Sequence, residues 1–552
     1  MEWFFSQFGI DPPVHRDVTE EVKVWLSLGA ALLAFGFHLW HRFLKAREDR
    51  AARYTHRGLQ ATLVVLCIAS FCNYSRYEFE HVWQKRVDAY DLVHYYLNAK
   101  YFDELGYFEL YPAVVLAHYE EGPTDKRPLP PQVQFQNEDD YYFVKTEDFV
   151  NDAEEHQRIR ALFGDTPRWL EFRHDFIHLQ RDVTGFTKET WVQMLNDHGF
   201  NGAPSWLLFA HPLANAVPVE QVKRLGYIDV VWLIAAVGLV WWAFGFTGAG
   251  FTFVFLLTTY STRWPTMTWA FGRYDYVSAL IIAVCFLKKS KHWWGGAFAA
   301  IATSLRVFPA VWMWGPAFKG VWELVRHRRV NRRLLGLAGA FVVVHLVLWG
   351  GVVAKWGTEP IETHFHNMFA HTTEDNLSSM RQGFAIAAAY TPSEAVDGVR
   401  YVAGGEPPTH NNRMNQDRRE RIKDQKPYRN AVAIVMVLAL GWAYRRKPDH
   451  ESFAMGVIPF FLLATASYYY YVIRATLIPT HADDLGKGRH AFGLVWLFLI
   501  EATVNYLQGA HSHWRVIHIG WMGWMIFIYA AVMIIWAIIE DRRAGPELSP
   551  AP

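Results

Sequence analysis

Cysteine is almost missing from this chain: three among 552 residues, at Cys67, Cys72 and Cys285. All three fall in or at the edge of apolar segments without metal-ligand spacing, so neither a disulfide framework nor a zinc cluster is expected. A dominant charge is missing too. The formal net charge is +1, which removes any global electrostatic signature for nucleic acid. The N-terminus has no basic n-region and no small-residue cleavage site, so the first apolar segment is expected to be retained. No Asp-x-Asp motif of the nucleotide-sugar kind occurs. What is abundant is apolar and aromatic: 52% hydrophobic residues, 16% aromatic, and 25 tryptophans. Several runs approach or exceed the about 18–20 apolar residues that cross a bilayer. Mean hydropathy is nevertheless zero, so large polar loops must offset them. The composition predicts an all-α polytopic membrane protein.

The positive-inside rule then orders the spans. The first runs over about Val24–Trp40, followed by a connector holding Arg42, Lys45, Arg47, Arg50, Arg53 and Arg57, expected to be cytoplasmic. A second span at about Leu59–Phe71 returns the chain, which places residues 73–225 outside as a cap. Further spans follow at about Ile228–Phe246, Phe251–Thr262 and Tyr276–Leu287. Two later segments break the count. A single span over His292–Phe318 would put the basic run at 326–333 outside; two short helices with an apex near Ser304–Pro309 keep it inside, and Pro309 supplies the break. By the same logic the segment Glu451–Pro479 splits near Tyr468–Tyr471. The expected total is about eleven to thirteen transmembrane helices including two broken pairs. The regions are 1–72 (N-terminal spans), 73–225 (cap with an interfacial helix), 226–355 (transmembrane core), 356–428 (second external loop) and 429–552 (C-terminal bundle).

Function is sought first in the stretch Asp88–Tyr111, where two carboxylates one helical turn apart, Asp88 and Asp91, precede a dense run of Tyr, Phe and His. Val93, Leu97, Tyr101 and Leu105 repeat every four residues, which predicts an amphipathic helix lying in the lipid interface. The topology collects Asp91, Arg273, Asp275, Arg306, the His364–His371 loop, and Tyr468–Tyr471 with Arg474 at one face. Ionisable groups placed centrally in a membrane cost about 2.5–3.5 kcal/mol, so they line water, pair, or bind a charged ligand.

These residues carry a resemblance. Asp91 with the following LVHYYLNAKYFDEL and Gly106-Tyr107 resembles the first external loop of the GT-C glycosyltransferases, and more narrowly the bacterial polyprenyl-phosphate-mannose-dependent mannosyltransferases. LRVFPAVW (305–312) is similar to that branch's basic–aromatic–Pro element in a broken helix, with Arg306 where Lys is commoner. GRYDY (272–276) sits where the branch often has Gly-Gln. The resemblance implies a GT-C-like fold in a bacterial inner membrane with its active site facing the periplasm. It implies an inverting transfer of mannose or a similar sugar from a polyprenyl-phosphate donor to an acceptor hydroxyl. Asp91 would be the base with Asp88 as its alternate, and Arg306, assisted by Arg273 and Arg474, would hold the donor phosphate. His94, Tyr95, Asp275, Tyr469, Tyr470, His366 and His371 are candidate substrate contacts. The expected partners are the lipid-linked donor, membrane lipids and an unspecified acceptor, with no nucleic acid.

No cofactor is expected. His174 and His178 have i, i+4 helical spacing, and His364 and His366 would share one face of an extended strand, but no third ligand follows for a divalent metal. Glu501 and Asn505, one turn apart in an apolar span, are expected to hydrogen-bond between helices. Two other classes stand beside the transferase: a lipid or solute transporter or flippase with a broken-helix binding site, and a scaffold that binds a lipid or partner through the cap.

Overall fold

The computed structural model describes residues 18–47, 49–77, 89–124, 127–137, 141–183, 191–192, 194–195, 200–262, 271–371, 381–390, 418–510 and 515–543. Among the described residues, six helices are long and apolar enough to cross a membrane: Val18–Arg47, Arg50–Tyr74, Val219–Thr258, Arg332–Trp356, Gly488–Gly509 and His518–Arg543. Many apolar side chains on them face outward, among them Val231, Ile234, Trp241, Val343, Leu346 and Val347. A chain surrounded by water would bury such residues; one surrounded by lipid need not. The chain is an all-α membrane protein.

The first helices are α1 (Val18–Leu39) and α2 (Arg50–Tyr74). Asp49 starts α2 by accepting from Ala52 N at 2.7 Å, a cap contributing about 1 kcal/mol. The cap region follows, with α3 (Leu110–Glu121), a hairpin of β1 (Gln132–Gln136) and β2 (Tyr141–Lys145), and α4 (Thr166–His178). Next come α5 (Pro204–Ala216) and α6 (Tyr227–Thr258). The gap expected between Phe246 and Phe251 is realised inside α6 at Gly245, whose φ of +76° breaks the helix; only glycine takes that conformation without strain.

Both broken pairs have the predicted breaks. After α7 (Asp275–Lys288), α8 (His292–Leu305) stops at Arg306, whose backbone is extended, and a tight turn over Phe308–Met313 leads into α9 (Trp314–His327). Next stand α10 (Arg332–Trp356), α11 (Glu359–His371) and α12 (Lys426–Tyr444). In the second pair, α13 (Val457–Leu463) ends before a two-residue ladder between Arg381–Gln382 and Ala466–Ser467, and a tight helix over Tyr468–Thr476 resumes the path. The chain closes with α14 (Gly488–Ala510) and α15 (Arg515–Arg543), which run antiparallel: Trp496 bonds to Met525 O, while Arg489 at the start of α14 pairs with Glu540 at the end of α15.

Two expectations fail. Asp91–Phe102 is not a half-exposed interfacial helix: all twelve positions are buried, and the backbone widens to a π turn over Val93–Leu97. The cap is the reason. Lys100, on the face meant for water, pairs with Asp175 on α4 at 2.6 Å, and Tyr101 Oη, on the apolar face, donates to the same carboxylate at 2.9 Å, so protein covers both sides. Second, His364 and His366 lie on a helix, not a strand, and point apart: His364 is buried and His366 exposed.

Candidate functional site

Four segments distant in sequence meet at one end of the bundle. Arg273 spans Asp91 with two hydrogen bonds, Nε to Oδ2 at 2.9 Å and Nη2 to Oδ1. This fork-to-fork geometry is the strongest that a guanidinium and a carboxylate make. The loop carrying Arg273 is held from below by Asp229 on α6, whose carboxylate accepts from Arg273 N at 3.0 Å and Tyr274 N at 2.9 Å. Gly272 has a φ of +71°, and a Cβ there would come within 2.7 Å of the Trp206 indole nitrogen. The same Cβ would lie 3.3 Å from an Asp275 carboxylate oxygen. The glycine is therefore required both by conformation and by space.

Arg306 completes the cluster from the break after α8. Its Nη1 donates to Leu305 O at 2.8 Å and its Nη2 to Gly272 O at 3.3 Å. Among the described residues no carboxylate lies within ion-pair distance of it, although it is 8% exposed. Aromatic rings fill the space instead. The Tyr95 ring centre is 4.8 Å from the Arg273 guanidinium carbon and 5.6 Å from that of Arg306. Tyr469 lies 5.4 Å from Arg273, and Tyr276 lies 5.9 Å from Arg306. Tyr470 packs on Tyr469, Tyr276 and Phe308. The Tyr276 hydroxyl is buried without a hydrogen-bond partner.

Not every candidate joins this cluster. Arg474 pairs with Glu501 at 2.8 Å, both nearly fully buried, and its Nε donates to Tyr471 O at 2.9 Å. Its charge is balanced by α14 and unavailable to a ligand at Arg306. Glu501 also accepts from Tyr260 N at 2.7 Å, and Asn505 donates to Thr258 O at 3.0 Å, so both make the interhelical bonds anticipated for them. His94 shares a 2.6 Å hydrogen bond with Tyr111, within the cap. His366 is exposed. Asp88 and the side chain of His371 lie outside the described residues. His174 and His178 stack with 6.2 Å between rings, and His178 faces Asp182 at 3.2 Å. Among the described residues, no group of three or more His, Cys, Asp or Glu side chains is placed to hold a metal ion.

Two residues of the site, Asp229 and Trp206, were not anticipated. Asp229 had a signal, being a lone carboxylate in an apolar span. Trp206 had none beyond the abundance of its kind, and Tyr276 stood only as the last residue of the GRYDY motif. His364 was expected on the loop 364–371 or, with His366, on an extended strand, and not beside Arg306. Its imidazole is buried, its Nε2 has no hydrogen-bond partner, and burial with the nearby Arg306 charge pushes its pKa down to about 4.

Compared with models of known protein families, with curated proteins and with solved structures, the chain matches none.

Proposed function

We propose that this protein is an integral-membrane inverting glycosyltransferase that moves a hexose, mannose or a similar sugar, from a polyprenyl-phosphate donor to an acceptor hydroxyl. One observation carries the reading: Arg306 is a buried guanidinium held by two carbonyls, with no carboxylate in ion-pair contact among the described residues and with Asp275 acting on it only from a greater distance. A buried cation without an ion-pair contact is costly, and a site that tolerates one is suited to a ligand that brings a negative charge against it. A phosphodiester matches guanidinium geometry, and the unpartnered Tyr276 hydroxyl beside it adds a donor.

The chemistry then divides between the two ends of the cluster. Asp91 accepts the proton of the acceptor hydroxyl as that oxygen bonds to the anomeric carbon. The bond from that carbon to the lipid phosphate breaks, and its electron pair leaves on the phosphate oxygen facing Arg306. The leaving group is a stable anion, so fixed positive charge serves it better than an acid. Arg273 occupies one lone pair on each Asp91 oxygen, leaving further lone pairs for an acceptor hydroxyl. The resemblance to the GT-C enzymes agrees with these roles and suggests a bacterial inner membrane with the site facing the periplasm. The charged groups of the site lie at the ends of α7 and α8, not along their lengths, which favours transfer over translocation.

The test is direct. Purified protein receives polyprenyl-phosphate mannose with glycan or lipid acceptors, and transfer or donor hydrolysis is followed. Asp91→Asn should lose about a hundredfold or more in turnover, and Arg306→Ala a comparable factor. Turnover in Asp91→Asn equal to wild type would remove the base assignment, and no turnover of any lipid-linked sugar by wild type would remove the reading.

A further inference from the structure

We propose that His364 and Asn367, one turn apart on α11, form a hydroxyl-binding subsite for the neutral, polyhydroxylated part of the ligand; this rests on the reading of Arg306 as its phosphate site. The two side chains are 7% and 3% exposed, yet each keeps a nitrogen without a hydrogen-bond partner, His364 Nε2 and Asn367 Nδ2. Buried polar atoms are nearly always satisfied, and leaving one unmade costs about 1–3 kcal/mol. Two such atoms on one face of one helix are best explained by a ligand that satisfies both.

The surroundings fix what kind of ligand. The Asn367 amide is oriented by the cap, its Oδ1 accepting from Gln136 Nε2 on β1 at 3.0 Å, which leaves Nδ2 as a free donor. His364 lies beside Tyr107, with 6.3 Å between ring centres, and the Tyr107 hydroxyl is already committed to Gly202 O at 2.9 Å. The neighbouring Asn201 receives Tyr95 Oη at 3.4 Å, and Tyr95 is the ring beside Arg306. α11 thus connects through one layer of side chains to the phosphate end of the site. With its pKa pushed down to about 4 by burial and by Arg306, the imidazole is neutral near pH 7. A neutral ring nitrogen and an amide N–H do not select an anion; they suit hydroxyl groups, which both donate and accept. A sugar joined to a phosphate has the required sequence of chemistries, the anion at Arg306 and the hydroxyls at α11.

The experiment compares binding of two lipids to the full-length protein in nanodiscs: a polyprenyl phosphate and the same lipid carrying mannose or glucose. Wild type should prefer one of the sugar-bearing lipids by about tenfold or more. His364→Phe, which keeps the ring but removes both nitrogens, should lose most of that preference. Asn367→Asp, which keeps the acceptor for Gln136 but removes the free donor, should do the same. Undiminished affinity of both variants for the bare lipid phosphate verifies that they are folded. A wild type with no preference for either sugar lipid, or variants that retain the full preference, would overturn the subsite. Arg306→Ala separates the two ideas: it should weaken both lipids alike. Unchanged affinity there would overturn the phosphate site whatever α11 does.

Discussion

At the scale of single residues, charge balance decides which groups are free to act. Arg273 and Asp91 neutralise each other in contact, as do Arg474 and Glu501, while Arg306 hydrogen-bonds only to carbonyl oxygens and feels Asp275 from beyond ion-pair distance. His364 adds a pH dependence whose sign follows from its burial. Its folded pKa of about 4 lies below the ordinary 6.5, so the unfolded chain binds the proton first as pH falls. The stability associated with neutral His364 is fully present above about pH 6.5 and is lost progressively down to about pH 4, on the order of 3 kcal/mol in all. The Arg306 charge acts in the same direction. In melting experiments between pH 7 and pH 4.5, His364→Phe should therefore fall less steeply than wild type; parallel curves would show that His364 does not titrate on unfolding. Much of this was out of reach of the sequence. Asp91, Arg273 and Arg306 stood out as charges beside apolar segments, but nothing in the order of residues says that one arginine is spent on a carboxylate and the other is not. His364 could not be separated from His366 until the local structure was known to be helical, because a strand would have put them together.

At the scale of elements, the two breaks were legible and the opening stretch was not. Pro309 and the basic run after it each demanded an interruption near Arg306, by hydrogen-bond loss and by charge placement, and two independent constraints on one point rarely mislead. The four-residue repeat in Asp91–Leu105 reported only which face is apolar. It could not report that α4 covers the other face, since that contact depends on Asp175, far along the chain. The GRYD loop gives a sharp test. Gly272→Ala forces a positive φ on a residue with a Cβ and drives that carbon against Trp206, which should cost about 1–3 kcal/mol in thermal stability and loosen Arg273 from Asp91. An unchanged melting temperature would mean the loop relaxes freely. For the second broken pair, Arg474→Met strands Glu501 in the interior and should cost about 3–5 kcal/mol. The double variant Arg474→Met, Glu501→Gln should regain most of it, and additive losses would show that the pair is not coupled.

At the scale of the whole molecule, ion pairs also gather at the far end of the bundle. Opposite the candidate site, Lys288 meets Asp483, Arg445 meets Asp541, Lys447 meets Glu540, and Lys319 and His292 share Asp449. Asp449 is held at about 2, its hydrogen bonds from His292 and Lys319 outweighing the opposing effect of burial. This is the end that the positive-inside rule assigns to the cytoplasm. Helix α10 spans the distance between the ends, with Arg333 and Lys355 exposed near its two termini. In a variant lacking Cys67, Cys72 and Cys285, single cysteines at those two positions should react with a membrane-impermeant maleimide from opposite sides of sealed vesicles. Labelling of both from one side would refute the crossing of α10.

The link between Asp91 and Arg273 also has a consequence for assembly. The two residues are 182 positions apart, with the cap and all of α6 between them. A chain emerging from N- to C-terminus can therefore form the cap before the partner of its buried carboxylate exists. Closing so long a loop is slow, and an uncompensated buried charge is costly until it closes. The final seating of the cap on the bundle should thus wait for α7. Limited proteolysis during synthesis would reveal this as a cap that becomes protected only after residue 273 is in place, and protection of a shorter nascent chain would contradict it.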